Sequence, residues 1–230
     1  LIKKMKKPNV LTAFIYYLQS IPTIFRIKNF WVIPFVYFFK PVILELDNGL
    51  KYSIESLMDV WVIKEIILDR QYGYKREVKK DDVVIDIGAA FGDFSIFAAK
   101  TAKKVYAFDP NLKRIEQMKK NMVLNNIANI KVYGEAVTDL NNLFREKKIT
   151  KCNFLKIDCE GAEYQILQKA SEETLSKVEY IAFEIHLFTK DMKKRYPELK
   201  KMLEKNGFTL SELENPVHPY LKQLFALRKG

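Results

Sequence analysis

The sequence predicts an α/β fold: a seven-stranded, mostly parallel sheet with helices on both faces, preceded by a helical and β-hairpin N-terminal extension. Three observations predict it. From Asp82 onward, short apolar runs alternate with amphipathic ones, as in successive βαβ units. The first apolar run, Val84 to Ile87, passes directly into a glycine turn, Gly88-Ala89-Ala90-Phe91-Gly92. Residues 10–54 lack this rhythm and read as a separate entry module. With 230 residues and 48% hydrophobic content, the chain is long enough to bury a core of this size.

Taken in order, residues 1–9 carry Lys3, Lys4, Lys6 and Lys7 ahead of an apolar, aromatic stretch that runs to residue 39. Pro22, Arg26, Lys28 and Pro34 cut that stretch into pieces shorter than the roughly 20 apolar residues of a spanning helix. No small-residue cleavage site of a signal peptide follows it. Leu1 suggests that the numbering does not start at an ordinary initiator. Two short helices are expected here, covering the main domain, pairing with a second subunit in a homodimer, or lying on a membrane surface through residues 1–40. Val42–Glu45 and Lys51–Ile54 then flank Asp47-Asn48-Gly49, a hairpin signal because Asn-Gly supplies the positive φ that a tight turn needs. Ser56, with Asp59 three residues on, reads as the cap of a helix whose Val60, Ile63, Ile66 and Ile67 recur at helical spacing. The domain division expected is 1–55 for the extension and 56–230 for the main domain.

Strands are predicted near residues 83–87, 104–108, 130–134, 153–158 and 178–185, with two more at 207–211 and 223–227. The helix after Asn111 is predicted to bury Leu112, Ile115, Met118 and Met122 as one stripe. Cys152 and Cys159 sit at opposite ends of one predicted strand, too far apart to bridge, which suits a reduced, cytoplasmic protein. The net charge of +11 permits attraction to RNA or anionic lipid, although lysine enrichment alone also arises from genome composition.

A glycine turn between a strand and a helix lets a ligand approach the backbone where helix amides point outward. The next strand ends in Asp109, 21 residues beyond Gly88, close to the roughly 20 expected of a ribose-binding acid. The turn lacks G-x-G-x-x-G, since Ala90 and Asp93 stand where glycines would, and no P-loop occurs. Taken singly, each glycine is equally well a tight turn and Asp109 equally well a helix cap; their order argues for a nucleotide site.

The blocks Val-Ile-Asp-Ile-Gly-Ala (84–89), Ala-Phe-Asp-Pro-Asn (107–111), Asn-Met-Val-Leu-Asn-Asn (121–126), Glu-Ala-Val-Thr-Asp (135–139) and Leu-Lys-Ile-Asp-Cys-Glu-Gly-Ala-Glu (155–163) resemble the FkbM-type family of class I methyltransferases. The resemblance covers about residues 50–228. It implies a Rossmann-like sheet and S-adenosyl-L-methionine as cofactor. Position by position, it implies that Asp86, Gly88, Ala89 and Gly92 surround the methionine part, Asp109 holds the ribose, Glu135 and Ala136 lie by the adenine, and Asp158 sits near the sulfonium. Asp109 departs from the family's more usual Glu.

A sulfonium methyl needs an aligned nucleophile, and a hydroxyl nucleophile needs a proton acceptor. Asp158, Glu160, Glu163, Glu184 and His186, at or past the ends of two predicted strands, form the acid-base pool, with Asp158, Glu160 and His186 as catalytic candidates and the base unassigned. No metal site is legible, because His186 and His218 lie far apart and the cysteines lack zinc spacing. The leading expectation is O-methylation of a sugar, glycolipid or other small metabolite. An RNA methyltransferase ranks second, because the fourth strand carries Ile-Asp-Cys-Glu and no RNA-binding module is visible. A non-catalytic, membrane-associated cofactor-binding scaffold ranks third.

Overall fold

A computed structural model describes residues 10–229; Leu1 and the lysines at 3, 4, 6 and 7 lie outside the described residues. The described residues open with helix α1 (Val10–Ile24) and a 3-10 helix (Phe30–Tyr37), the two short helices expected. The hairpin follows at its expected bounds, β1 (Val42–Glu45) pairing antiparallel with β2 (Lys51–Ile54), with Gly49 at φ 81° in the turn. Ser56 caps α2 (Leu57–Ile63), its hydroxyl accepting from the Asp59 amide at 3.1 Å. That helix widens into a π turn over Lys64–Leu68.

The main sheet has seven strands: β3 (Val83–Ile87), β4 (Lys104–Phe108), β5 (Ile130–Tyr133), β6 (Cys152–Ile157), β7 (Val178–His186), β8 (Phe208–Glu214) and β9 (Leu221–Arg228). Their spatial order is β5-β4-β3-β6-β7-β9-β8, with β9 antiparallel to both β7 and β8 and the other neighbours parallel. The connecting helices are α3 (Asp93–Ala99), α4 (Leu112–Leu124), α5 (Leu140–Glu146), α6 (Glu163–Gln168), α7 (Glu172–Ser176) and α8 (Lys190–Lys205). After β5 the chain crosses back to place β6 beside β3, so β3 and β6 diverge at a switch point, where open α/β sheets bind ligands.

Alternate residues of the buried strands feed two cores, one on each face. Val84, Val105, Phe154 and Tyr180 join one, together with Ile27, Leu44 and Tyr52 of the extension. Ile85, Tyr106, Leu155 and Ile181 join the other. The extension is tied to α4 by side chains: Asn121 accepts from the Ser53 amide at 2.7 Å and Asn125 from the Lys51 amide at 2.8 Å.

Two details differ from the sequence reading. Leu112 is 64% exposed, because the first turn of α4 overhangs the sheet edge and rests over Gly134 instead of joining the buried Ile115 and Met118. The last two strands are longer than expected, since pairing continues to Glu214 opposite Lys222, where opposite charges meet across the ladder. Both cysteines are free.

Candidate active site at the carboxyl edge of the sheet

The carboxyl ends of β3, β4, β6 and β7 open into a cavity of about 660 Å³, within the usual range for a small-molecule site. Gly88, at φ 81°, sits at the switch point, and a Cβ there would stand 1.7 Å from the Asp158 carbonyl oxygen. Only glycine allows β3 and β6 to converge so closely. The Gly88 and Ala89 amides both donate to the Phe108 carbonyl, at 2.9 and 3.0 Å, bending the turn over the end of β4.

Asp109 lines the cavity as expected. Its carboxylate accepts from the Ala90 amide at 2.8 Å through one oxygen and from the Asn111 amide at 2.8 Å through the other. Each oxygen keeps a lone pair, so this side chain both shapes the loop and can accept ribose hydroxyls. Of the other residues expected around the methionine part, Asp86, Ala89 and Gly92 are buried in and beneath the turn, behind the wall that Gly88, Ala90 and Phe91 form. Gly92 is glycine because a Cβ would lie 2.6 Å from Met118 on α4. Asp86 is fully buried and anchors the Lys156 ammonium at 3.1 Å and the Ser95 hydroxyl at 2.6 Å. Lys156 also donates to the Gly88 carbonyl at 2.6 Å. Burial alone would lower its pKa, but the charges of Asp86, Asp158 and Asp93 raise it, so it remains a cation under the turn.

Glu135 and Ala136 do not join the cavity either. They line a separate hollow of about 150 Å³ beside Phe108, and the Glu135 carboxylate is drawn to Lys147 at 2.6 Å.

Across the cavity, the acid-base pool comes together. Tyr72 donates to Asp158 at 3.0 Å, and Asp158, Glu184 and His186 place ligand-type atoms within 4.8 Å of one another. Glu163, fully buried at the start of α6, makes a short hydrogen bond to His186 Nδ1, which turns Nε2 toward Glu160 and Glu184, each at 3.8 Å. Burial pulls the imidazole pKa down, but the Glu163 bond and charge, with Asp158 and Glu184, outweigh it and raise it to about 9. Burial, followed by the Asp158 charge, pushes Glu184 up to about 8. The Glu163 bond thus favours the protonated imidazole, which makes His186 a poorer base than Asp158. The trio is spaced for a metal ion, a grouping the sequence did not reveal. Glu160 is largely exposed at the rim, with φ 53°.

Among the lining residues given no role in the sequence are Ala90, Tyr72 and Arg114, the last ion-paired with buried Asp59 at 3.0 Å. Ala90 belongs to the turn and was within reach of the motif. Tyr72 and Arg114 arrive from segments with no motif of their own.

A profile of the methyltransferase FkbM domain matches residues 129–210, and one of the TRM5/TYW2 methyltransferase domain matches residues 44–157. Curated relatives include an uncharacterized RNA methyltransferase of Caldanaerobacter subterraneus subsp. tengcongensis, 24% identical over 56% of this chain and 28% of its own. Ribosomal protein L11 methyltransferase of Thermoanaerobacter pseudethanolicus is 29% identical over 60% of this chain and 47% of its own. The Methanocaldococcus jannaschii tRNA (guanine(37)-N(1))-methyltransferase Trm5b is 50% identical over 23% of this chain and 15% of its own. The chain thus spans less than half the length of these relatives. In fold it is similar to an rRNA methylase from Streptococcus thermophilus, with a TM-score of 0.54, 17% identity, and coverage of 75% of this chain and 95% of that one.

Proposed function

We propose that the chain is an S-adenosylmethionine-dependent methyltransferase that transfers the methyl group to a hydroxyl of an RNA acceptor, a reading supported by the FkbM and TRM5/TYW2 methyltransferase-domain matches. The observation that carries the transfer reading is the placement of Asp109 and Gly88 in one open cavity whose far wall bears Asp158, Glu160 and Glu184, with His186 buried behind the two glutamates. Asp109 and Asp158 put two carboxylates on the cavity wall that a cationic cofactor would face. When bound, S-adenosylmethionine supplies an electrophilic methyl. The chain's own groups do the rest: Asp109 accepts the ribose hydroxyls, Gly88 and Ala90 leave room at the turn, and Asp158, oriented by the Tyr72 hydroxyl, takes the acceptor's proton. Glu184, backed by the buried His186 at 3.8 Å, holds a proton beside it and orients the acceptor.

The relatives' names move the weight from the sugar or small metabolite ranked first in the sequence to RNA, its runner-up. A hydroxyl on a sugar or glycolipid is the second reading, favoured by one observation: the FkbM match spans Asp158, Glu160, Glu163, Glu184 and His186, the acceptor wall and the residues buried behind it. Incubation with methyl-labelled S-adenosylmethionine and, in parallel, unmodified tRNA and rRNA or a panel of glycans and glycolipids separates the two. Label in RNA is the expected result. Label in glycans or glycolipids alone overturns the RNA acceptor, and absence of cofactor binding by calorimetry overturns the transfer reading.

A further inference from the structure

Exposed apolar side chains are concentrated in one place. Among the described residues, 13 of the 21 large hydrophobic side chains exposed to solvent lie between residues 11 and 39. On α1, Phe14, Leu18 and Ile21 follow one another at helical spacing and face outward, with exposed Phe25 just past its end, while Ser20 on the opposite side is buried and Tyr16 donates to Glu65 of the main body at 2.9 Å. The 3-10 helix and its end continue the surface with Trp31, 61% exposed, and Phe38, 79% exposed. A contiguous apolar face of this kind marks an interaction surface. No helix among the described residues is long and apolar enough to cross a membrane.

Charge identifies the occupant. The first 44 residues contain seven Lys and Arg and no Asp or Glu. Arg26 and Lys28 are met by Asp47 and Glu45, which leaves the lysines at 3, 4, 6, 7 and 40 as the excess. A second copy would add the same net positive charge of residues 1–44 to the assembly, whereas anionic lipid headgroups would neutralise it. Phe, Tyr and Trp beside lysine are also the side chains that settle at the headgroup level. We infer that the α1 and 3-10 face docks in the plane of an anionic bilayer. The surface reaches the site: Tyr17 packs edge-on against Trp61 at 5.1 Å, and both line the cavity along with the exposed Met58. Docking therefore sets the cavity mouth at the lipid–water boundary, whichever acceptor enters it.

The experiment is co-sedimentation of the full chain with vesicles of phosphatidylcholine alone or mixed with phosphatidylglycerol, at low and high salt. Binding is expected to be at least about tenfold tighter to the mixed vesicles and to weaken with salt. The variant Trp31→Gln/Phe38→Gln should lose that binding about tenfold while keeping its melting temperature and its affinity for S-adenosylhomocysteine. The inference is overturned if wild type ignores both vesicles, or if the variant binds them as wild type does. It is equally overturned if light scattering finds a dimer that the variant dissolves, or if the variant loses RNA affinity and not vesicle affinity.

Discussion

Replacing Glu163 with Gln should move the titration of a residue 23 positions away. In the folded chain His186 is 2% exposed and its Nδ1 rests on the fully buried Glu163 carboxylate. The amide of Gln keeps the size and the hydrogen-bonding capacity but removes the charge that outweighs burial. The imidazole pKa should then fall from about 9 to its ordinary 6.5 or below. A shift of some 2.5 units corresponds to about 3 kcal/mol of lost coupling. The sign follows from linkage: a histidine raised in the folded state contributes stability that is full below about pH 6.5 and is lost as pH rises through about 9. The variant should therefore lose most stability near pH 6 and little above pH 9. The chain has only two histidines, so heteronuclear NMR of the imidazole signals resolves His186 from His218 directly. Melting curves at pH 6, 7.5 and 9 supply the energy. A wild-type His186 that titrates at or below 6.5, or a variant with an unchanged His186 titration, would refute the account of a protonated imidazole beside Asp158.

Three further outcomes are expected. Asp109→Ala removes charge-assisted ribose bonds worth roughly 1.5–3 kcal/mol, so calorimetry should record S-adenosylhomocysteine binding weakened by about 10- to 150-fold; equal affinity would take Asp109 out of the cofactor site. Gly88→Ala forces a methyl against the Asp158 carbonyl and requires a strained positive φ, so β3 and β6 must separate; both melting temperature and cofactor affinity should drop, and an unchanged melting temperature would contradict the 1.7 Å approach. Burial pushes Asp93 up to about 7, so the folded state prefers its protonated form and stability should decline as pH rises from about 4 to 7. Asp93→Asn should flatten that decline in pH-dependent denaturation curves, and an equally steep decline in the variant would assign it to other groups.

Much of the fold is legible in the sequence because it rests on local pattern. Apolar alternation locates β3 through β7, Asn-Gly forms the hairpin turn, and Ser56 caps its helix, since each depends on residues a few positions apart. The order of Gly88 and Asp109 also survives folding, because a strand followed by a turn delivers its last residue to the sheet edge wherever the strand is placed. Tertiary structure alone decides the state of the site. Asp158, Glu184 and His186 meet because β6 and β7 are neighbours, and Tyr72 reaches Asp158 from a segment 86 residues earlier. Whether His186 accepts or holds a proton depends on its burial and on Glu163 lying beneath it. Neither spacing nor composition encodes depth below the surface, so the residue type that suggested a base favours, once packed, its protonated form. Leu112 and Glu135 make the converse point: a correct local pattern places them on an element, but the end of the neighbouring layer leaves one in solvent and Lys147 draws the other away from the cavity.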